Sequence, residues 1–397
     1  MLETRIAKEL AYISQAGLAR RITELYFVNP AQAQDRTGKT YLVLASNNYL
    51  GFTHAPEVIE AASRAALKFG TGSSGSRLTT GGTFIASELE KRLADFKHSE
   101  SALVFNTGYM TNLGILYGLL QTGDVVFSDE LNHASIIDGC RISRCKVVVY
   151  KHNDMADLQR LLETEIVTGQ RFIVTDGVFS MDGDIADLPS LAVLKKQFNA
   201  FLIVDDAHGV GVIGNDGSGT ASHYGLTDVI DLQVGTLSKA LAAEGGYVAG
   251  KKILIDYLIN RSRPFIFSTA LAPATLAAAN AALLLLQTQA SKYLDSLRAN
   301  SRLMRRLLLE GGLNVVEGIT PIIPVVIGEA GLTMQFADSL KSKGILVSGI
   351  RPPTVPRGES RLRITVTAAH CEEQLRQAAQ IITALWQELK HGEKKEG

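Results

Sequence analysis

Apolar residues along this chain follow two rhythms. Leu2, Ile6, Leu10 and Ile13 recur every three or four positions, which predicts an amphipathic helix at the start. After the turn Asp35-Arg-Thr-Gly comes a short strand, Tyr41-Leu-Val-Leu. A helix then runs from Pro56 to Phe69, with proline where a first turn needs no amide donor. From Ser101 to Gly250 short β-branched runs alternate with helical stretches. The runs are Ala102-Leu-Val-Phe, Asp124-Val-Val-Phe, Lys146-Val-Val-Val-Tyr, Phe172-Ile-Val-Thr, Phe201-Leu-Ile-Val and Asp231-Leu-Gln-Val. That alternation predicts an α/β fold, a mainly parallel sheet covered on both faces. Thr275 to Leu286 reads as an alanine- and leucine-rich helix, and a separate charged helix from Tyr293 to Glu310 follows it. Ile322-Ile-Pro-Val-Val-Ile, Ile345-Leu-Val and Leu362-Arg-Ile-Thr-Val are strands interleaved with helices, as in a smaller α+β domain. The expected division is an N-terminal helix and strand segment over 1–45, a large domain over 46–287 and a C-terminal domain over 288–397.

Composition narrows the function. The 397 residues carry 40 basic and 40 acidic side chains, so no global field favours nucleic acid or an anionic membrane. An anionic substrate must be captured by local arginines and backbone amides. Cys140, Cys145 and Cys371 form no CxxC pair, which argues for a reducing compartment and against a disulfide framework. The first residues lack the apolar core of a signal peptide, and Ala281-Ala-Leu-Leu-Leu-Leu is too short to span a bilayer. A cytoplasmic protein without a metal site is expected.

The chemistry starts at Lys239, in Gly235-Thr-Leu-Ser-Lys-Ala-Leu, just after the run Val229 to Val234. Upstream, Ile203-Val-Asp-Asp-Ala-His-Gly ends a strand in Asp205 and places His208 three residues on. An amine, a strand-end carboxylate and an imidazole are what pyridoxal phosphate requires. The amine forms the Schiff base, and the carboxylate keeps the pyridine nitrogen protonated so that the ring can accept electrons. A solvated loop lysine and a buried Asp205–arginine salt bridge are the structural alternatives. The other motifs are weaker singly. Gly70-Thr-Gly-Ser-Ser-Gly matches GxGxxG, with Glu90 or Asp95 at a passable distance for a ribose-binding acid, but it follows a helix where a dinucleotide fingerprint must follow a strand. Asn106-Thr-Gly-Tyr-Met-Thr-Asn is a strand–turn–helix junction whose amides suit an anion, Gly108 allowing close approach. His133, in Asn132-His-Ala-Ser, can stack on a flat heterocycle or be merely structural. Thr175-Asp-Gly-Val-Phe-Ser-Met-Asp-Gly puts Ser180 and Asp182 either in a ligand loop at a strand end or in an Asx-type turn. Ile350-Arg-Pro-Pro-Thr-Val-Pro-Arg-Gly and Ser360-Arg-Leu-Arg-Ile-Thr bring four arginines together. Arg361 and Arg363 share a face, on a functional strand or a solvated edge strand.

Ser46-Asn-Asn-Tyr-Leu-Gly, Gly72-Ser-Ser-Gly-Ser-Arg, Asn132-His-Ala-Ser-Ile-Ile-Asp-Gly, Asp176-Gly-Val-Phe-Ser-Met-Asp-Gly, Val204-Asp-Asp-Ala-His-Gly, Gly235-Thr-Leu-Ser-Lys and Arg263-Pro-Phe-Ile-Phe-Ser belong to one pattern that runs over nearly the whole length. Their combination resembles the α-oxoamine synthases, pyridoxal phosphate transferases of fold type I. The resemblance implies a large domain built on a mainly parallel seven-stranded sheet, a smaller C-terminal α+β domain, and a homodimer with the site at its interface. It assigns the Schiff base to Lys239, the ring nitrogen to Asp205, the ring oxygen to His208 and ring stacking to His133. Gly108 and Tyr109 amides would bind the phosphate, with the hydroxyls of Ser180, Thr236 and Ser238 near it, and Thr269 or its neighbour Ser268 would reach the partner's cofactor. Asn47 and Arg363 would hold the amino-acid carboxylate and Thr354 the acyl chain. Arg351, and Arg20 or Arg21, would also contact substrate. The turn at Ile350 points within the family to L-alanine and a pimeloyl thioester, pimeloyl-CoA or pimeloyl-ACP, as in biotin formation; glycine with acetyl-CoA is the alternative. A non-catalytic partner subunit would lack the lysine. The chain departs from the family at Ala86, usually histidine, and at Ala242, usually glycine.

Overall fold

The computed structural model describes the backbone of residues 1–15, 18–20 and 22–396 and the side chains as far as Lys390. Arg21 lies outside the described residues. The large sheet has strands β1 (Ser101–Phe105), β2 (Val125–Asp129), β3 (Lys146–Tyr150), β4 (Arg171–Asp176), β5 (Phe201–Asp205), β6 (Leu232–Thr236) and β7 (Gly246–Gly250). Their spatial order is β1-β7-β6-β5-β4-β2-β3. Only β7 runs against its neighbours; the other pairs are parallel. Six of these strands are the apolar runs read from the sequence, and the seventh contains Tyr247-Val-Ala.

Alternate residues of one strand enter different cores. Phe172, Val174 and Ile203 join Leu116, Ile136 and Leu258 on one face. Ile173, Leu202 and Val204 join Leu158, Leu162 and Leu191 on the other. Burial on both faces is why these strands read as continuous apolar runs. Each fully buried branched side chain contributes about 1.5–3 kcal/mol, so the central strands are firmly held between two cores. Their C-terminal ends, where side chains leave the sheet, are therefore well-fixed platforms.

The predicted pair of helices after residue 275 is one helix, Pro273–Glu310, bent at Gln289 (φ −134°, ψ 27°). No proline or glycine stands between Leu286 and Tyr293 to end it, so the chain kinks and continues. Beyond it an antiparallel sheet orders Ile322–Gly328, Ser360–Thr365 and Ser348–Ile350. Ser360–Thr365 is its central strand and is buried throughout, so the solvated-edge reading of Arg361 and Arg363 does not hold. The N-terminal strand Thr40–Val43 pairs in parallel with Ile345–Leu346, and Leu44 packs in the core of the C-terminal region. No helix among the described residues is long and apolar enough to cross a membrane.

β7 and the helix Gly108–Leu119 meet at two glycines. A Cβ on Gly246 would lie 2.5 Å from Thr111 Oγ1 and 2.6 Å from the Gly108 amide nitrogen. Gly246→Ala is expected to destabilise the fold by about 1–3 kcal/mol through this overpacking, seen as a lower urea midpoint with an unchanged m-value.

Candidate active site

Five elements end around one cavity of about 210 Å³. β5 delivers Asp205, and the turn after it delivers His208. The loop after β6 delivers Ser238 and Lys239, and Thr236 ends that strand. The helix after β1 begins at Gly108 and Tyr109. His133 opens the helix after β2, and Ser180 follows β4. All nine line the cavity, with Asp176 and Ser135. Thr107 caps the helix by accepting from the Met110 amide at 3.0 Å, which leaves the amides of Gly108 and Tyr109 outside the helical ladder.

Asp205 is buried, and among the described residues no arginine salt-bridges it. Asn112 Nδ2 donates to its Oδ2 at 2.6 Å, and the Ala207 amide donates to its Oδ1 at 3.0 Å. Asp206 fastens the same turn from behind. Its carboxylate accepts from the Thr220 amide and hydroxyl at 2.8 and 2.9 Å and faces the fully buried Lys97 ammonium at 3.4 Å. The His208 ring is held by Tyr49, whose hydroxyl lies 2.6 Å from Nδ1. Burial, reinforced by the charges of Lys239, Arg363 and His133, pushes the His208 pKa well below the usual histidine value. Burial likewise lowers the Lys239 pKa, with Arg363 adding to the effect and Asp205 and Asp176 opposing it. Asp176 pairs across the sheet with Asp205; burial and that neighbour's charge raise its pKa well above the carboxylate range. The His133 amide donates to Asp176 at 2.9 Å, and its ring lies 2.7 Å from Ser135 Oγ.

Asn112, Tyr49 and Asp176 are site residues that motif reading passed over. Each lay inside a quoted motif, but only the register of strands and helices shows that it touches Asp205 or His208.

The C-terminal region closes the other side. Arg363 donates from Nε to the Ser180 carbonyl at 2.5 Å and from Nη2 to Asn47 Oδ1 at 3.2 Å. Arg361 pairs with Asp182 and Glu359. Arg20, Arg351 and Thr354 line a separate cavity of about 610 Å³ with Leu10, Ile13 and Leu18. Thr269 lines neither; it is exposed on this chain, with its carbonyl accepting from Asn106 Nδ2 at 2.7 Å. The GxGxxG stretch follows the helix Pro56–Phe69, and Glu90 is occupied by Arg77 through two bonds of 2.8 and 2.9 Å. Glu90 is therefore not free to hold a ribose. Among the described residues no cluster of metal-ligating side chains occurs.

The cavity suits pyridoxal phosphate. Free helix amides and hydroxyls stand on one side, a hydrogen-bonded buried carboxylate on another, and an amine of lowered basicity between. The two family departures have visible consequences. Ala86 is fully buried beside Arg77, whose buried Nε finds no acceptor. Ala242 sits at φ +53°, a left-handed conformation that costs a residue with a Cβ about 1 kcal/mol.

Two predictions follow from these contacts. His152 bridges Asp129 and Asp184 at 3.0 Å each and so holds the loop carrying Ser180. Burial alone would lower its pKa, but bonds to both carboxylates and their charges raise it to about 10. The raised value means that its stabilisation is complete below pH 6.5 and lost as pH rises through 10. The stability gap between the parent and His152→Gln should thus be on the order of 2 kcal/mol at pH 6 and shrink towards pH 10 in urea titrations. Ala242→Gly should relieve the left-handed strain and raise stability by about 1 kcal/mol in the same assay.

Comparison with known proteins agrees with this geometry. Residues 39–382 match the family model for aminotransferase class I and II. An 8-amino-7-oxononanoate synthase of Lysinibacillus sphaericus is 47% identical over 94% of this chain and 96% of that protein. A serine palmitoyltransferase variant from S. paucimobilis with a bound PLP–myriocin aldimine superposes with a TM-score of 0.91 at 31% identity, over 97% of each chain. An 8-amino-7-oxononanoate synthase from Francisella tularensis superposes with a TM-score of 0.75 at 30% identity, over 87% of this chain and 98% of that one. The chain belongs to the aminotransferase class I and II family, and within it to the α-oxoamine synthases, pyridoxal phosphate-dependent acyltransferases of fold type I.

Proposed function

We propose that this α-oxoamine synthase condenses L-alanine with a pimeloyl thioester, with loss of carbon dioxide and release of the carrier's free thiol, to give 8-amino-7-oxononanoate for biotin formation. The observation that carries the reading is the convergence of Lys239, Asp205, His208 and His133 on one cavity, with Arg20, Arg351 and Thr354 lining a second and larger one. The names of the relatives compared above support the choice of substrates.

In this reading pyridoxal phosphate would be held by Lys239 at its aldehyde carbon, by Asp205 at the ring nitrogen and by His208 at the ring oxygen, with His133 stacked on the ring. The phosphate would rest on the Gly108 and Tyr109 amides near the hydroxyls of Ser180, Thr236 and Ser238. When bound, the cofactor supplies an electron sink for the α-carbon of the amino acid. The chain's own residues supply the rest. Lys239, its pKa lowered chiefly by burial, would be placed in this cavity to take the α-proton. Asp205 is confined by Asn112 and by its own turn to a fixed orientation. Arg363, with its guanidinium pinned between Ser180 and Asn47, would orient the amino-acid carboxylate. The apolar side chains of Leu10, Ile13 and Leu18 suit an acyl chain, and Arg20 and Arg351 suit its anionic end or carrier.

The division at 287/288 is part of the proposal and is supported by the kink at Gln289. So is a homodimer, in which the exposed Thr269 would be presented to the partner's cofactor.

The test is product formation with two substrate pairs, before and after loss of the amine. L-Alanine with pimeloyl-CoA should exceed glycine with acetyl-CoA in kcat/KM by about a hundredfold or more, and pimeloyl-ACP should be compared alongside. Lys239→Ala should lower the rate by roughly 10³-fold or more. Faster turnover of glycine with acetyl-CoA would overturn the substrate assignment, and an unimpaired Lys239→Ala would overturn the mechanism.

A further inference from the structure

We infer that this protein carries a second anion site, built for an organic phosphate monoester and separate from the catalytic cavity. It is a pocket of about 260 Å³ between the second half of the helix Pro273–Glu310, the segment 212–214 and the turn at 318–319. No lining residue is shared with the cavity around Lys239 or with the one containing Arg20 and Arg351.

The pocket concentrates uncompensated positive charge. Arg298, Arg302 and Arg305 recur at helical spacing on one face, and all three line it. Arg305 is half-buried, and its acceptors are main-chain carbonyls alone: Val316, Thr320 at 3.3 Å and Ile322 at 3.1 Å. Burial lowers its pKa, and no carboxylate offsets that. Arg302 makes no hydrogen bond or ion pair among the described residues and is exposed at the mouth. Arg298 donates to the Gly214 carbonyl at 2.5 Å and has one carboxylate, the exposed Asp295, at 3.6 Å. Three guanidiniums thus face one solvated carboxylate. A partly buried cation left with neutral partners favours an arriving anion.

The shape of the pocket selects among anions. Planar guanidiniums match oxyanions with several acceptor atoms, and a doubly charged phosphate satisfies more than one of them. The space exceeds a bare oxyanion, and Val212, Ile213 and Ile319 supply apolar wall for a carbon group. The walls also lead towards the active site. Ile213 donates its amide to the Gly209 carbonyl at 2.8 Å, one residue beyond His208. Thr320, next to Ile319, donates its hydroxyl to the Gly183 carbonyl at 2.8 Å, on the loop carrying Ser180. A molecule in the pocket would touch both segments.

Calorimetric titration of the pyridoxal phosphate-loaded protein with phenyl phosphate tests this, because the catalytic phosphate cup is then filled. The expected result is one site per chain, with inorganic phosphate weaker and phenol not bound. Arg302→Ala should weaken phenyl phosphate by about tenfold or more. Ile319→Asp, at an exposed wall position, should weaken it similarly; neither change disturbs the core. No binding at millimolar phenyl phosphate would overturn the proposal. So would binding unchanged in both variants, or binding lost in Arg351→Ala instead, which would place the ligand in the substrate cavity.

Discussion

A carboxylate cannot be buried unpaired at the end of a strand, and the site of this molecule is arranged around meeting that requirement at Asp205. Asn112 reaches it from the helix after β1, and the Ala207 amide reaches it from its own turn. Those two bonds fix the carboxylate in place on a platform that is itself rigid, since β5 is buried on both faces. The next residue repeats the solution with other partners. Asp206 points away from the cavity, accepts from Thr220 and meets the buried Lys97. Two adjacent acids with opposite partners leave the turn little freedom, so His208 and its contact with Tyr49 follow from it.

Charge in the cavity is balanced by distance and burial together. Asp176 and Asp205 end neighbouring strands, and burial, with the charge of Asp205 added, raises the Asp176 pKa. Lys239 faces both acids, yet burial still wins and lowers its pKa. An amine of lowered basicity beside a fixed carboxylate is a suitable pairing for proton transfer at an α-carbon. The C-terminal region adds to this arrangement through one loop. Arg363 binds the Ser180 carbonyl, Arg361 pairs with Asp182, and Thr320 binds the Gly183 carbonyl. Three residues of the segment 180–183 therefore connect the two regions at the edge of the catalytic cavity. The same loop is tied to the large sheet by His152 through Asp184.

Much of this was legible from residues alone. β2, β4, β5 and β6 announced themselves as apolar runs because both faces are buried, while the edge strand β3 did so through its valines although Val147 and Val149 are exposed. The acid, imidazole and amine stood out as polar residues where such runs end. Chain order also placed Gly108, His133 and Ser180 at strand–helix junctions. Periodicity failed between residues 287 and 292, where polar residues resembled a loop; the helix persists because nothing there breaks its backbone. It also left Ser360–Thr365 open between core and edge, since two arginines on one face look solvated until a partner loop is placed against them.

The sequence by itself determined the fold class, the cofactor chemistry and the identity of the reacting groups, because those depend on local pattern and residue type. Only the tertiary structure decided which neutral residues complete the site. Asn112 and Tyr49 act on Asp205 and His208 across 93 and 159 positions of chain. Contacts at that range are set by sheet order and helix packing, and no local rhythm encodes them. The same holds for the arginine-lined pocket at 298–305, where residues spaced for a helix face become a charged concavity only once two distant turns close over them.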